Sequence, residues 1–468
     1  AASDVYKRQL VDLSPIANWN IGRVTSMNSM FDGCKCLADL SPIANWNTSN
    51  VEYFSYVFAA CSIVNLDDIS HWDTANATYI SGMFDGCDSL ADINGIKDWD
   101  TGNLTASHGT FSNCSSLTDL SPIANWNVEK VTDMSNMFSD CDRLTNLSGL
   151  SGWNTGSVTD MSYMFNSCDN LIDLSGLSDW DTESVTNMNR MFYRCQQITD
   201  LTPLASWNTG SVTNMGEIFY WCSGLTSLSG ISSWNTGSVT NMSGMFYNCK
   251  TTDLTPLSGW NTGSVTNMSG MFDSCYKIPD LTPLSGWNTG AVTNMNRMFF
   301  SCDSLTDLTP LSGWNTGSVT NMTYTFYGCD TITDLTPLSS WDTGAVKNMD
   351  SIFSYCSSLT DLSGLANWNT GSVTNMKGMF YDCDKITDLA PLSGWDTRSV
   401  TDMNQMFAGC SSLTDLSGLA NWDTGAVTNM QWMFLSCNNL ADLSGLANWD
   451  TGAVTNMSVS YTHLTLPT

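Results

Sequence analysis

Residues Trp234–Lys250 read WNTGSVTNMSGMFYNCK, and TTDLTPLSG follows before Trp260 begins the pattern again. Tryptophan recurs at 19, 46, 72, 99, 126, 153, 180, 207, 234, 260, 287, 314, 341, 368, 395, 422 and 449, a step of 27 residues with 26 at two places. Length alone, 468 residues, would suggest about three domains. A fixed period of this size overrides that expectation and marks a solenoid or array. No stretch is rich enough in Pro, Gly or charge to act as a linker, so residues 10–458 read as a single repeat domain.

The coil can be taken apart from Leu305. Apolar residues fall at Leu305, Leu308, Leu311 and Trp314, then at Val319, Met322, Phe326 and Cys329. The opening step of three is neither the period of a strand nor that of a helix, and predicts a short strand that bends. Pro310 precedes Leu311, whereas sister coils carry Gly364 or Gly418 there. Pro alternating with Gly marks a bend, because Pro donates no backbone hydrogen bond. After each Trp comes Asn or Asp, from Asn20, Asn47 and Asp73 through to Asp450, usually followed by Thr-Gly as in Thr236-Gly237. This predicts an Asx turn with Gly at positive φ. Met242, Met245, Phe246 and Cys249 are spaced as one face of two helical turns, with Thr240 or Asn241 as the N-cap. The expected fold class is therefore an α/β repeat, a right-handed leucine-rich-repeat-like solenoid of about 17 coils. Parallel short strands would lie on one side and short helices on the other. One coil cannot bury its own core, so stacking must supply the stability.

Lys and Arg number 16 against 45 Asp and Glu, a formal charge of −29. Such a polyanion does not bind nucleic acid by neutralising phosphates. No apolar run reaches the ~18 residues of a membrane helix, so no membrane insertion is expected. Residues 1–9 (AASDVYKRQ) and 459–468 (VSYTHLTLPT) match no position of the repeat. They resemble translated sequencing-adapter read-through and are expected to be non-native, with the chain a fragment of a longer protein.

The motifs SVTNMSGMFYNC (238–249), LTDLSGL (359–365) and WNTG (234–237), repeated end to end, resemble BspA-type leucine-rich-repeat surface proteins of bacteria. The likeness covers about 10–458. Trp stands here where that family usually has another apolar aromatic. The resemblance implies a secreted or cell-wall-associated protein that adheres to host or neighbouring-cell proteins or glycans, without catalytic residues.

Several columns recur in the repeat. Apart from Cys36, the cysteines occupy one slot per coil, as Cys34, Cys61 and Cys87 do, which is no metal-binding CxxC pattern. Parallel side chains on neighbouring coils oppose disulfide torsion, so buried thiols are expected. An Asp column includes Asp280, Asp307, Asp334 and Asp361. It reads as a solvated stripe whose neighbours repel by about 0.8 kcal/mol in water, or as a weak Ca²⁺ row. A further column, Asn214, Asn241, Asn267, Asn294, Asn321 and onward, suits cap-like hydrogen bonding. The two residues after each repeat Phe vary most. Aromatics occupy these slots at Tyr193, Tyr220, Trp221, Tyr247, Phe300, Tyr327, Tyr355 and Tyr381, while sister coils use Ser, Asp or Gly. The core does not demand rings there, which makes the row the candidate ligand-binding surface. The expected function is a non-catalytic adhesion module at the cell surface. The alternatives are a polysaccharide-acting solenoid enzyme and a structural stalk. The enzyme would need a local break in the repeat, and His71 and His108 stand in the least regular region, with no evident partners.

Overall fold

The spacing of three ahead of each Trp is a helical period of its own kind. In the computed structural model, which describes residues 9–458, every coil carries a three-residue 3-10 helix there, from Ser14–Ile16 to Ser444–Leu446. A 3-10 helix has three residues per turn, so residues three apart share a face. In the coil of Thr309–Leu311, Leu311 N donates to Leu308 O at 2.9 Å and Trp314 N to Leu311 O at 3.1 Å. Pro310 sits in the first turn, where its missing N–H leaves nothing unpaired. The bend is present as expected, but it is this helix rather than a folded strand. The Asp two residues upstream holds the helix start: Asp307 Oδ1 accepts the Thr309 N–H at 2.8 Å.

The Met-to-Cys segment is not an α-helix, although the apolar spacing predicts one. Left-handed residues recur four apart within it, as at Ser351 (φ 54°) and Tyr355 (φ 59°) or Tyr324 (φ 58°) and Gly328 (φ 69°). Two such residues per segment preclude a continuous right-handed helix. Alternate N–H groups instead reach the next coil: Met349 to Asn375 O at 3.0 Å, Ser351 to Lys377 O at 2.8 Å, Phe353 to Met379 O at 3.1 Å. The residues between them close local turns, such as Cys356 N to Phe353 O at 3.2 Å. A chain of turns throws side chains inward at i, i+3, i+4 and i+7 just as a helix would. The short helices of the coil are thus the 3-10 helices beside the Trp.

The chain falls into two compact units, Ala1–Ser238 and Val239–Thr468. Each is a solenoid of stacked coils of 26 or 27 residues, joined by parallel bridges. In the first, parallel bridges connect Ser26, Tyr53, Tyr79, Ala106, Asp133, Asp160, Asn187 and Asn214 in turn. In the second they run through Asn241, Asn267, Asn294, Asn321, Asn348, Asn375, Asp402, Asn429 and Asn456. The Asn column is therefore the pairing row, and its side chains also cap: Asn267 Oδ1 accepts Ser269 N at 3.1 Å and Asn348 Oδ1 accepts Asp350 N at 3.0 Å.

Each interior row is continuous within its unit. Phenylalanines stack, with Phe111–Phe138 at 5.8 Å in the first unit and Phe299–Phe326 at 5.7 Å in the second. Within each unit the indole N–H groups of the repeat Trp column pair with carbonyls of the preceding coil, as Trp180 Nε1 does with Leu150 O and Trp314 Nε1 with Leu284 O, both at 3.1 Å. Buried Thr hydroxyls reach the other way, Thr289 Oγ1 to Asn315 O at 2.9 Å. The Asx turn forms, with Asn288 Oδ1 accepting Gly290 N at 3.1 Å. Gly290 is nevertheless not left-handed. A Cβ there would sit 3.2 Å from Asn315 Nδ2, so close coil approach replaces the expected positive φ.

Cysteine thiols are free and, except at Cys36, buried. Cys141 Sγ donates to Phe111 O at 3.2 Å and Cys329 Sγ to Phe299 O at 3.1 Å. Burial pushes the Cys87 and Cys275 thiols up to about 12. Thiols held this firmly protonated behave as small apolar groups.

Candidate functional site

Because the core consumes the Trp, Val, Met, Phe and Cys columns of the repeat, chemistry is left to the outward positions of the turn segment. The eight aromatic candidates occupy these turns rather than a helix face. They divide between the units.

In the first unit Tyr193 and Tyr220 stack at 4.7 Å with planes 10° apart, and Tyr220 meets Trp221 at 6.4 Å. Trp221 is left-handed (φ 60°) and 41 % exposed. Arg190, two residues after Met188, lies over Tyr163 at 5.4 Å and Tyr193 at 5.2 Å. Its guanidinium is bidentate to Glu217, Nε to Oε2 at 2.9 Å and Nη2 to Oε1 at 3.0 Å. The hydrogen bond to Glu217 holds the Arg190 pKa above its ordinary value. Rings and charge here lock one another.

In the second unit Phe300 and Tyr327 stack at 4.5 Å, planes 3° apart. Tyr327–Tyr355 and Tyr355–Tyr381 follow edge to face, each at 5.1 Å. Tyr324 packs edge-on against Tyr327 at 5.6 Å. Arg297 lies 3.8 Å from the Phe300 centroid and pairs with the buried Asp273 at 2.6 Å. Burial raises the Asp273 pKa, opposed by the Arg297 hydrogen bond. Tyr381 is raised by its hydrogen bond with Tyr355, and Tyr327 by burial. An open hollow of about 260 Å³ lies among Tyr324, Tyr327, Tyr355, Tyr381, Lys377 and Gln405. Tyr247 stands apart from this group, since Asp273 fills the equivalent slot of the coil between it and Phe300.

The sequence reading missed Tyr163, Arg190, Arg297, Tyr324 and Lys377. All lie one or two residues after the first Met of their turn segment, a slot that also varies between coils. That variation was the available signal.

The four acidic candidates each carry the same task. Asp280, Asp307, Asp334 and Asp361 accept the N–H of Thr282, Thr309, Thr336 and Ser363 at 2.7–2.8 Å. The hydrogen bonds to Thr309 hold the Asp307 carboxyl below its ordinary value. Among the described residues no group of three or more His, Cys, Asp and Glu is arranged to hold a metal ion.

His108 does find a partner: its Nδ1 lies 2.6 Å from Ser135 Oγ, which in turn donates to Asp133 Oδ1 at 2.5 Å. With the hydroxyl proton committed to Asp133, the imidazole donates to the serine. Ser135 is also buried, and its own N–H bonds Asp133 at 2.9 Å. The trio caps a turn.

Among the described residues no helix is long and apolar enough to cross a membrane. A family model described as "Mycoplasma protein of unknown function, DUF285" matches in overlapping copies across residues 3–120, 91–173, 108–228, 222–336, 280–389, 306–413, 332–437 and 356–465. No curated protein matches in sequence. Solved structures that resemble the chain include bacterial leucine-rich-repeat proteins. An internalin (inlF) of Listeria monocytogenes is 16 % identical, with 81 % of this chain and 83 % of that one covered and a TM-score of 0.30. A leucine-rich-repeat protein of Eubacterium ventriosum is 14 % identical, with 78 % and 81 % covered and a TM-score of 0.33. The functional domain of InlJ from Listeria monocytogenes, described as including a cysteine ladder, is 14 % identical, with 81 % and 72 % covered and a TM-score of 0.18.

Proposed function

We propose that this chain, which belongs to the family described as Mycoplasma protein of unknown function, DUF285, is a non-catalytic binding module at a bacterial surface. Its partners would be proteins or glycans of a host or neighbouring cell. The observation that carries this reading is the placement of rings where the coil needs none. Tyr193, Tyr220 and Trp221 form one patch, and Phe300, Tyr327, Tyr355 and Tyr381 another. Sister coils fill the same slots with Ser139, Ser167, Ser274 or Ser301. Rings supply large contact area at low entropic cost, which suits recognition. Two patches on one chain would add by avidity on a cell surface.

The test is binding of the full chain to a glycan array, to matrix proteins and to intact cells. Two variants accompany it, one with Tyr193, Tyr220 and Trp221 changed to Ser, the other with Phe300, Tyr327, Tyr355 and Tyr381 changed to Ser. At least a tenfold loss of binding with unchanged thermal unfolding is expected. Wild-type binding by both variants, or no binding by the wild type, would set the reading aside in favour of a stalk.

A further inference from the structure

The aromatic column of the second unit has a gap, and the gap has a shape. In the slot directly after the repeat Phe, Phe300 and Tyr327 stack flat and fill the surface between their coils. The next coil places Ser354 in that slot, and the one after it Tyr381. Ser354 is only 1 % exposed, and its hydroxyl donates to Gly378 O. Gly378 is itself left-handed (φ 55°) and carries no side chain where the preceding coils carry Tyr324 and Ser351. Two small residues, in different slots of consecutive coils, thus floor the hollow of about 260 Å³. Its walls are Tyr327, Tyr355 and Tyr381, the last two crossing edge to face at 5.1 Å. Tyr355 is 37 % exposed and presents its ring to solvent.

The remaining lining is polar. Ser351 is spent on Asp350, its Oγ donating to Oδ1 at 2.7 Å. Lys377 and Gln405 sit half-buried at the rim. Among the described residues no carboxylate lies within ion-pair reach of the Lys377 ammonium. The site therefore offers ring faces beside an ammonium, an amide and phenol hydroxyls, with the floor closed by backbone.

Resting on the binding reading above, we infer that this hollow is a saccharide subsite that takes a neutral pyranose. One face of such a ring is a row of C–H groups, which pack on an aromatic face. Its edge is a ring of hydroxyls, which need donors and acceptors. The hollow is small beside the roughly 300–1,000 Å³ of drug-sized pockets, and matches one or two sugar rings. A protein hot spot would instead call for a dry apolar pocket, and this lining is mixed. An acidic sugar is disfavoured by Asp350 and Asp382 on the flanking turns and by the net charge of −29.

The test is titration calorimetry of the full chain with cellotetraose, with a uronic-acid oligosaccharide of the same length as the contrast. Tyr355→Ser and Lys377→Asn serve as hollow variants, since Ser301 and Asn404 already occupy those slots in other coils. Tyr220→Ser in the first unit is the outside control. Cellotetraose binding that Tyr355→Ser weakens at least tenfold, that Lys377→Asn weakens measurably and that Tyr220→Ser leaves alone is expected. Preference for the acidic oligosaccharide, or indifference to Tyr355→Ser, would overturn the inference. So would absence of cellotetraose binding at millimolar concentration. If cell binding persists in that last case, the inference fails alone; if it too is absent, the binding reading fails with it.

Discussion

At the scale of the residue, the tryptophan that sets the period is held by its nitrogen as much as by its area. Phe would fill much of the same space, yet Phe has no N–H for the carbonyl that ends the preceding coil's 3-10 helix. Trp341 Nε1 donates to Leu311 O at 3.0 Å and Trp368 Nε1 to Leu338 O at 3.1 Å, and both rings are 3 % exposed. Those carbonyls also accept the backbone N–H of their own coil's Trp, as Leu311 O does from Trp314 N at 3.1 Å, so losing the indole N–H removes one of two bonds, at about 0.5–1.5 kcal/mol. Shrinking the indole adds a cavity penalty. Trp314→Phe should therefore lower stability by about 2–4 kcal/mol, read as a fall in the urea midpoint followed by circular dichroism. Trp19→Phe is the control: that ring is 55 % exposed, and the change should stay within about 0.5 kcal/mol. Equal losses at the two sites would mean that ring volume, and not the buried hydrogen bond, is what the column requires.

At the scale of the element, the alternation of Pro and Gly in the 3-10 helix sets how closely one coil meets the last. A Cβ on Gly364 would lie 1.8 Å from Leu335 O, and one on Gly176 1.8 Å from Leu147 O. Both coils also carry a second parallel bridge, Asp334 to Asp361 and Asn146 to Asp173. Gly here is a close-packing residue. Gly364→Ala must push two coils apart and should cost about 2–3 kcal/mol. Gly313→Ala, with nothing within 4 Å of its Cβ, should be neutral or slightly stabilising. Thermal melts of the two variants check this, and similar melting temperatures would refute the close-approach argument. The same element shows what the sequence could convey. The period, the inward rows, the Asx turns and the bend at Pro or Gly were all legible, because each repeats in every coil. The Met-to-Cys helix was not, because a chain of turns and a helix share the i, i+3, i+4, i+7 pattern. Only the left-handed residues, among them Arg190, Tyr324 and Tyr355, separate the two, and their side chains do not announce that conformation. The aromatic row was legible as excess over what the coil needs. The hollow was not, since Ser354 on one coil and the adjacent Lys377 and Gly378 on the next meet only through coil-to-coil register.

At the scale of the whole molecule, a formal charge of −29 is distributed unevenly in its effect on stability. One set of carboxylates is held by the fold in its ionised form. Asp200, Asp253 and Asp307 sit below the ordinary value of 3.8, chiefly through hydrogen bonds from Thr202, Thr255 and Thr309. A second set is disfavoured in that form. Burial raises Asp142, with Asp169 and Asp140 adding repulsion, and burial raises Asp303, with Asp330 adding to it. Burial raises Asp382 as well, beside Asp384. The two sets act in opposite directions with pH. A raised carboxyl contributes stability below 3.8 that is lost as pH climbs through its folded value. A lowered one contributes stability above 3.8 that is lost as pH falls through its folded value. Descending from neutrality, the raised set protonates first and its repulsion is relieved while the turn-capping set is still ionised. Stability should therefore rise as pH falls from 7 toward the raised values, and decline once pH passes below 3.8. Melting temperatures measured from pH 7 to pH 3 at constant ionic strength test this. Asp142→Asn should flatten the rise, and Asp307→Asn should soften the decline while lowering stability at pH 7. A melting temperature that falls steadily from neutrality would show that the capping carboxylates outweigh the crowded ones throughout.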